Sequence, residues 1–471
     1  MLSWAELDAR VDAAAARLAG LAGPGDRVAL VLGNTVGFAA SFFGALRAGL
    51  VAVPLNPGYP DDELGYALSD SGAAVVVAED AVRDRVPGAV PPVFEPSVPA
   101  SEFPAPDPDR LAVVLYTSGT SGRPKGAMLT RAALAANHDQ IARLEPRIVG
   151  PDDVLLLAVP FFHAYGLNTG LGTVARHAAT GVLVDRFEPA GSLAAIERHG
   201  VTAVLGVPSM YVAWSRRESA GTSLARVRTA VCGAAPLDGP DAARIAAATG
   251  KNLIIGYGLT EAAPVLTTTA VSDRSKPGSI GRPLPGVSLL LRSADGTVLW
   301  RDGAAPAEAD LAELDLSVED VAGTDPGEIV VRGANLFSGY WPDGHGGPDA
   351  EGWWGTGDIA YADADGDLVL VDRIGELILV NGFNVYPAEI ERVLGDHPGV
   401  AEAAVVAVPD PDTGQVPYAY VVPAAGPPPS PADLIGYCAT RLARFKVPAT
   451  VELVGEIPHS ATGKVRKSAL R

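Results

Sequence analysis

Cysteine is nearly missing: the 471 residues hold two, Cys232 and Cys438. That count excludes a disulfide framework and a cysteine-rich metal site, and it suits a reducing compartment. Basic residues are in deficit, 36 Lys+Arg against 55 Asp+Glu, for a formal charge of −19. Such a chain repels a phosphate backbone, so nucleic acid is excluded as the main partner. A local basic site for an anionic ligand is still compatible with it. Unbroken apolar runs of spanning length are lacking too. The uncharged stretches 28–46 and 154–175 reach the ~20 residues that a bilayer requires. Gly33-Asn34-Thr35 interrupts the first, and Pro160, His163, Gly166 and Asn168 interrupt the second. Each reads as a buried strand, a turn and more buried chain, not a membrane span. The first residues carry no basic segment leading into an apolar run, so a cytoplasmic protein is expected.

What the chain does have is apolar content, 48% against 19% charged. At about 100–200 residues per domain, it has the length for two to four units with their own cores. Short Val/Leu/Ile runs at 28–32, 74–78, 111–116, 154–159, 182–184, 203–207 and 253–255 read as strands. Ala-rich segments of helical period at 7–18, 36–47, 192–199 and 240–248 read as helices. This alternation predicts an α/β protein with mostly parallel sheets covered on both faces. After about residue 285 the pattern becomes antiparallel, with strands at 287–292, 328–332 and 368–371 and Asp-Gly turns at 295–296 and 365–366. The acidic stretch 294–326 reads as a long surface loop. A compact α+β unit of about 100 residues follows, with a helix at 387–394, strands at 403–408 and 418–422, a Pro-rich linker at 423–431 and a helix at 432–442. Residues 441–471 hold seven basic groups and two acidic ones, the best place in the chain for a phosphate-bearing ligand.

The densest chemical signal is Tyr116-Thr-Ser-Gly-Thr-Ser-Gly-Arg-Pro-Lys-Gly126. Glycines permit close backbone approach, exposed N–H groups and hydroxyls make an anion nest, and Lys125 adds positive charge. It is not the common G-x-x-x-x-G-K loop, because Pro124 stands where that pattern needs glycine. Gly170-Leu-Gly-Thr-Val-Ala175 fits a dinucleotide pattern, but it lacks the preceding strand and the later acid that would support one.

The loop at 116–126 closely resembles the phosphate loop of the acyl-adenylate-forming (ANL) superfamily: acyl-CoA synthetases, adenylation domains of peptide synthetases and luciferases. Further motifs follow in that family's order. They are Cys232-Gly-Ala-Ala-Pro236, Gly256-Tyr-Gly-Leu-Thr-Glu261, Gly355-Thr-Gly-Asp358, Asp372-Arg373, Gly382-Phe-Asn-Val-Tyr-Pro-Ala-Glu-Ile-Glu391 and Pro458-His-Ser-Ala-Thr-Gly-Lys464. The resemblance runs from about residue 4 to the end and falls nearest the acyl-CoA synthetase, or fatty-acid–CoA ligase, branch. It implies a large N-terminal domain over 1–372, with parallel α/β sheets and a small β-barrel-like part, and a small mobile α+β domain over 373–471.

By resemblance, Thr117, Ser118, Gly119, Thr120, Ser121 and Lys125 hold the ATP phosphates. Gly233, Ala234, Ala235, Pro236, Tyr257 and Gly258 border the adenine, and Asp358 and Arg373 bind the ribose side. Glu261 takes Mg²⁺, and Thr260, Glu261 and His163 count with Lys464 among the catalytic residues. By itself Tyr257 offers a flat face for a purine or simply fills the core. Glu261 reads equally as an oxygen ligand or as a helix-terminus charge, and Asp358 as a ribose acceptor or a turn former. Lys464 alone would be a solvated charge; the resemblance makes it the catalytic lysine of adenylation. Asp372 becomes the hinge, and Gly382 and Phe383 the coenzyme A side.

His163, Leu167, Val207, Gly258 and Leu259 are expected around the acyl pocket. Phe162-His163-Ala164-Tyr165 departs from the Phe-Asp-x-Ser of amino-acid-activating relatives. Gly258 stands where acetate-specific relatives narrow the pocket with Trp, so a longer or bulkier apolar acid is expected. Gly375, Leu379 and Asn381 stand where relatives are often basic. Three alternatives therefore stay open beside a coenzyme A ligase: a carrier-protein thiol as acceptor, a chain performing one half-reaction, and a non-catalytic binding protein. ATP, Mg²⁺ and coenzyme A are the implied cofactors and a carboxylic acid the implied substrate, with an acyl carrier protein as an alternative partner.

Overall fold

The computed structural model describes residues 1–92, 103, 107–117, 123–235, 237, 239–272, 276, 278–303, 323–381, 383–411, 413–460 and 463–470. Ser118, Gly119, Thr120, Ser121, Pro236 and Gly382 lie outside the described residues, as does most of the acidic stretch. The chain divides into two compact units. The first comprises 1–277, 283–287 and 332–354, and the second 278–282, 288–331 and 355–471.

The first unit carries two largely parallel sheets. One runs Val75–Ala78, Arg27–Val31, Val51–Leu55, Leu111–Thr117, Lys125–Thr130. Its first four strands are parallel and the last pair antiparallel. The other runs Val265–Thr268, Ile254–Gly258, Thr229–Cys232, Ala203–Gly206, Val154–Leu157, Thr180–Leu183. It is parallel except where Ile254–Gly258 meets Val265–Thr268. The central strands are buried along their length save for Arg27 at one end, which is why they read as unbroken apolar runs. The predicted α/β class is found.

Helix Val36–Arg47 follows its strand through a Thr35 cap whose hydroxyl accepts from Phe38 N–H. Phe38 and Phe161 meet at 5.2 Å between ring centroids inside the core. Stretch 154–175 holds strand Val154–Leu157 and then a π-helix, Tyr165–Gly172, that runs into helix Thr173–His177. Gly166 is required there: a Cβ would lie 2.2 Å from the Pro160 carbonyl oxygen. Among the described residues no helix is long and apolar enough to cross a membrane.

Strand Lys125–Thr130 was not foreseen. Thr117 pairs with Lys125 across an antiparallel ladder, so the segment 118–124 joins two strands of a hairpin and does not lead from a strand into a helix. Short alternating runs such as Lys-Gly-Ala-Met-Leu-Thr are easily lost beside the glycine signal that precedes them.

In the second unit a further run orders Val298–Arg301, Val287–Arg292, Gly327–Gly333, Trp354–Ala362, Leu368–Arg373 and Ser279–Pro283, antiparallel at its first pair and from Trp354–Ala362 onward. Stretch 294–326 is thus not loop from its start. Gly296, with φ of 92°, turns the chain so that Trp300 pairs with Leu291. The C-terminal sheet orders Phe383–Val385, Ile378–Val380, Gly414–Pro423 and Val400–Asp410, with Thr450–Leu453 also on Gly414–Pro423. Helices Pro387–Gly395 and Pro431–Ala439 place Ile390, Leu394, Leu434 and Cys438 in its core.

Candidate functional site

Strand Ile254–Gly258 ends in a tight return that presents Glu261. Gly258 is forced: a Cβ would sit 1.8 Å from the Pro264 carbonyl oxygen, the atom that accepts Leu259 N–H at 2.9 Å. Its missing side chain is therefore set by the backbone, and bare glycine here says nothing about pocket length. Residues Thr260–Ala262 form one 3₁₀ turn, and Ala263 closes it in the left-handed region with φ of 61°.

The turn is held by buried amides. Asn335 Nδ2 donates to the Ala262 carbonyl at 2.7 Å and Asn168 Nδ2 to that of Ala263 at 2.7 Å. Gln140 Nε2 donates to Asn335 Oδ1 at 2.9 Å, and Asn137 Nδ2 to the Val265 carbonyl at 2.8 Å. His138 joins through Asn168 at 2.9 Å, and its burial lowers its pKa to about 4, so it is neutral here. Glu261 itself is 7% exposed. Its Oε1 accepts Tyr340 O–H at 2.7 Å and its carbonyl accepts Phe337 N–H at 2.8 Å. The Lys125 ammonium lies 5.2 Å from the centroid of the same Tyr340 ring. Tyr340 thus touches both the lysine that ends the glycine-rich segment and the carboxylate of the turn. Thr117 Oγ1 donates to the Lys125 carbonyl at 3.4 Å.

Near this turn, Gly233 has its backbone close to the Gly256 carbonyl, which a Cβ would approach to 3.1 Å. Ala234 adopts φ of 70° and Ala235 is part-buried. Tyr257 is buried at 9% exposure. Burial pushes the Cys232 thiol up to about 12, which removes it as a nucleophile.

His163 lies between the core residues Phe161 and Ala164. Loss of water around its ring lowers its pKa to about 4. Its Nδ1 accepts Tyr165 N–H at 3.2 Å, so the neutral ring carries its proton on Nε2. Leu167 and Val207 are buried and Leu259 part-buried. On the π-helix that begins at Tyr165, the hydroxyls of Tyr165 and Thr169 are buried without a hydrogen-bond partner among the described residues. Such groups cost about 1–3 kcal/mol each unless a ligand or water meets them.

The second unit assembles a different cluster. Asp358 and Arg373 are register partners on neighbouring strands, and Arg373 Nε donates to Asp358 Oδ1 at 2.7 Å. Asp358 N–H donates to Thr356 Oγ1 at 3.1 Å, and Gly357 takes φ of 74°. Lys464 feels the charges of this pair although about 90 residues separate it from Arg373. The tail turns back on itself there: Ser460 N–H donates to the Lys464 carbonyl at 2.7 Å, and Lys464 N–H to Ser460 Oγ at 3.1 Å. Burial, and then the Arg373 charge, lower the Lys464 pKa to about 8, while Asp358 and Glu376 pull the other way.

Asp372 accepts Arg373 N–H on Oδ1 at 2.8 Å and Ala388 N–H on Oδ2 at 3.0 Å. The second bond fixes the start of helix Pro387–Gly395 against the strand end. Burial raises the Asp372 carboxyl to about 6 despite those donors and the charge of Lys467. Phe383 is 58% exposed and stacks on Phe445 at 4.9 Å.

Of the residues singled out in the sequence, one unit brings Lys125 and Glu261 onto Tyr340, and the other brings Lys464 to Asp358 and Arg373. Sequence reasoning missed Tyr340, the four amides and Lys467. Asparagine and glutamine scattered over 137–335 carry no spacing rule, and Ser338-Gly339-Tyr340-Trp341 gives no hint of a contact 79 residues back. Among the described residues no cluster of three or more His, Cys, Asp or Glu could hold a metal by itself. Glu261, a lone buried carboxylate with oxygen neighbours, instead fits an ion that takes one protein carboxylate and draws its other ligands from phosphates and water.

The AMP-binding enzyme family matches residues 1–341, and the AMP-binding enzyme C-terminal domain matches residues 389–464. A feruloyl-CoA synthase of Amycolatopsis sp. is 37% identical over 491 residues, spanning 100% of this chain and 93% of its own length. A long-chain-fatty-acid–CoA ligase of Bacillus subtilis is 30% identical, spanning 95% of this chain and 85% of its own. The crystal structure of ATP-bound MatB from Rhodopseudomonas palustris superposes with a TM-score of 0.87 at 31% identity, covering 100% of this chain and 93% of that one.

Proposed function

Since the chain belongs to the AMP-binding enzyme family, in the acyl-CoA synthetase branch of the acyl-adenylate-forming superfamily, we propose that it activates a bulky aromatic carboxylic acid with ATP and passes the acyl group to coenzyme A. It is an AMP-forming acid–thiol ligase. A carboxylate oxygen attacks the α-phosphorus and pyrophosphate leaves. The thiol sulfur then attacks the carbonyl carbon of the acyl-adenylate, AMP leaves, and the thiol proton passes to solvent.

The observation that carries this reading is the company of Lys464. Adenylation joins two anions, so its barrier falls when a fixed cation meets both. Lys464 is a mostly buried ammonium within reach of the Arg373 and Asp358 charges, and its backbone is held by a turn onto Ser460. Asp358 and Arg373 take the ribose side of the nucleotide. Lys125 and the hydroxyls of 117–121 take the β- and γ-phosphates. Magnesium, held at Glu261, would neutralise charge on the phosphates, and Tyr340 keeps that carboxylate oriented. Neutral His163, with its proton on Nε2, borders the acyl carbonyl as a donor and does not act as a cation.

An aromatic acid is favoured because the feruloyl-CoA synthase is the more similar of the two curated relatives described above. For the second half-reaction we assign residues 373–471 as the part that turns about Asp372, withdrawing Lys464 and presenting Phe383 and residue 382 to the thiol. The test is a panel of hydroxycinnamic, benzoic, medium-chain and long-chain acids with ATP and either coenzyme A or a carrier-protein thiol, read by mass spectrometry of acyl-adenylate and thioester. Hydroxycinnamates with coenzyme A are expected to give the highest kcat/KM. Preference for palmitate, or for the carrier protein, would overturn the substrate or acceptor assignment, and absence of any acyl-adenylate would overturn the whole.

A further inference from the structure

Three residues beyond Lys464, the tail carries a second buried lysine that the reaction scheme does not use. Lys467 Nζ lies 2.8 Å from Glu376 Oε2 and 2.8 Å from Glu391 Oε1, with all three side chains mostly buried. The two carboxylates come from different elements. Glu376 ends the 3₁₀ turn Ile374–Glu376 directly after Arg373, and Glu391 belongs to helix Pro387–Gly395. Glu391 Oε1 also accepts Val405 N–H from strand Val400–Asp410 at 2.7 Å. One ammonium therefore pins the tail to a turn, a helix and a strand together. Burial works against its charge, but Glu391 and then Glu376 outweigh it and hold the Lys467 pKa above the usual lysine value.

Glu376 and Lys464 also feel each other's charge, each favouring the other's ionised form. Among the described residues Lys464 enters no ion pair at contact distance, whereas Lys467 has two. A carboxylate closed on Lys467 is not closed on Lys464. We infer that Lys467 is a positioning residue for adenylation: by binding Glu376 and Glu391 it anchors the tail and keeps the Lys464 ammonium available to the reacting anions. This rests on the proposed role of Lys464.

The test uses the full chain with Lys467→Met and Lys467→Arg, assayed for acid-dependent ATP–pyrophosphate exchange and, separately, for thioester formation from supplied acyl-adenylate. A displaced lysine lowers the first and spares the second. Lys467→Met is expected to lose at least about tenfold in exchange kcat with little change in KM for ATP, and to keep thioester formation within about twofold of the parent. Lys467→Arg restores most of the exchange. Hydrogen exchange of the amides at 458–470 is expected to quicken in the Met variant alone. If Lys467→Met does not fold, Glu391→Gln removes one arm and is expected to show the same split at smaller size. Equal loss of both half-reactions, or unchanged exchange kcat with tail amides protected as in the parent, overturns the inference. A parent enzyme that makes no acyl-adenylate from any acid overturns the functional reading instead, and the amide protection still reports on the anchor.

Discussion

The turn bearing Glu261 and the tail bearing Lys464 hold their key side chains by opposite means. Neutral amides fix the turn: Asn335, Asn168, Gln140 and Asn137 bond buried carbonyls from several directions. Charged and polar contacts fix the tail: Lys467 pairs with Glu376 and Glu391, and His459 Nε2 lies 2.7 Å from Glu402 Oε1. Amide networks do not titrate near neutrality and are screened little by salt, so they suit a group whose position never changes. Lys467, Glu376 and Glu391 all lie within 373–471, so their ion pairs suit a tail that is carried whole with that part between two steps. The contrast matches the chemistry proposed for each side, with a standing carboxylate for the phosphates and a visiting ammonium for the α-phosphorus.

That contrast can be broken or sharpened by mutation. The largest effect belongs to Lys464→Ala, which should slow adenylation about 10²–10³-fold, or roughly 3–4 kcal/mol, as removal of a donor to developing charge does elsewhere. In the parent, kcat/KM for adenylation should fall as pH rises through about 8, because only the ammonium is useful and its pKa lies near there. A profile flat to pH 10 would remove the buried-lysine account. Next comes Asp372→Pro. It fixes φ and deletes the carboxylate that accepts Arg373 and Ala388 N–H. Thioester formation should drop about tenfold or more while pyrophosphate exchange stays largely intact. Parallel loss of both would argue against one site used in alternation. The smallest kinetic effect is expected from the turn's support. Asn335→Ala leaves the Ala262 carbonyl without its donor and should cost about 1–3 kcal/mol of stability in denaturant unfolding, with the same pH profile as the parent. A shifted profile would mean that the turn and the tail are not separable as described.

Much of the fold was legible because buried parallel strands and their helices leave strong local patterns. Arg27–Val31 and Val36–Arg47 are read almost to the residue, with Thr35 marking the cap between them. Lys125–Thr130 was not, because pairing with Leu111–Thr117 depends on a partner across a glycine-rich segment and on no period of its own. The π-helix at Tyr165–Gly172 was read only as buried chain, since three glycines among eight residues speak against any helix. At the site, motifs located the groups proposed to meet the ligand: Glu261, Asp358, Arg373, Lys464. They did not locate what holds those groups. Tyr340, Asn335 and Lys467 act across distances of 79, 73 and 91 residues from their partners, and such contacts are made by the tertiary fold alone. Gly258 shows a further limit of motifs: they marked the glycine, but only the fold shows the Pro264 carbonyl where its Cβ would lie.

The claim underneath all of this is that Lys464 serves the formation of acyl-adenylate and not its consumption. The direct measurement supplies preformed acyl-adenylate and coenzyme A to Lys464→Ala and to the parent, and compares single-turnover thioester formation. Equal rates, beside a crippled pyrophosphate exchange in the same variant, are the expected result. Thioester formation slowed as much as exchange would contradict the account.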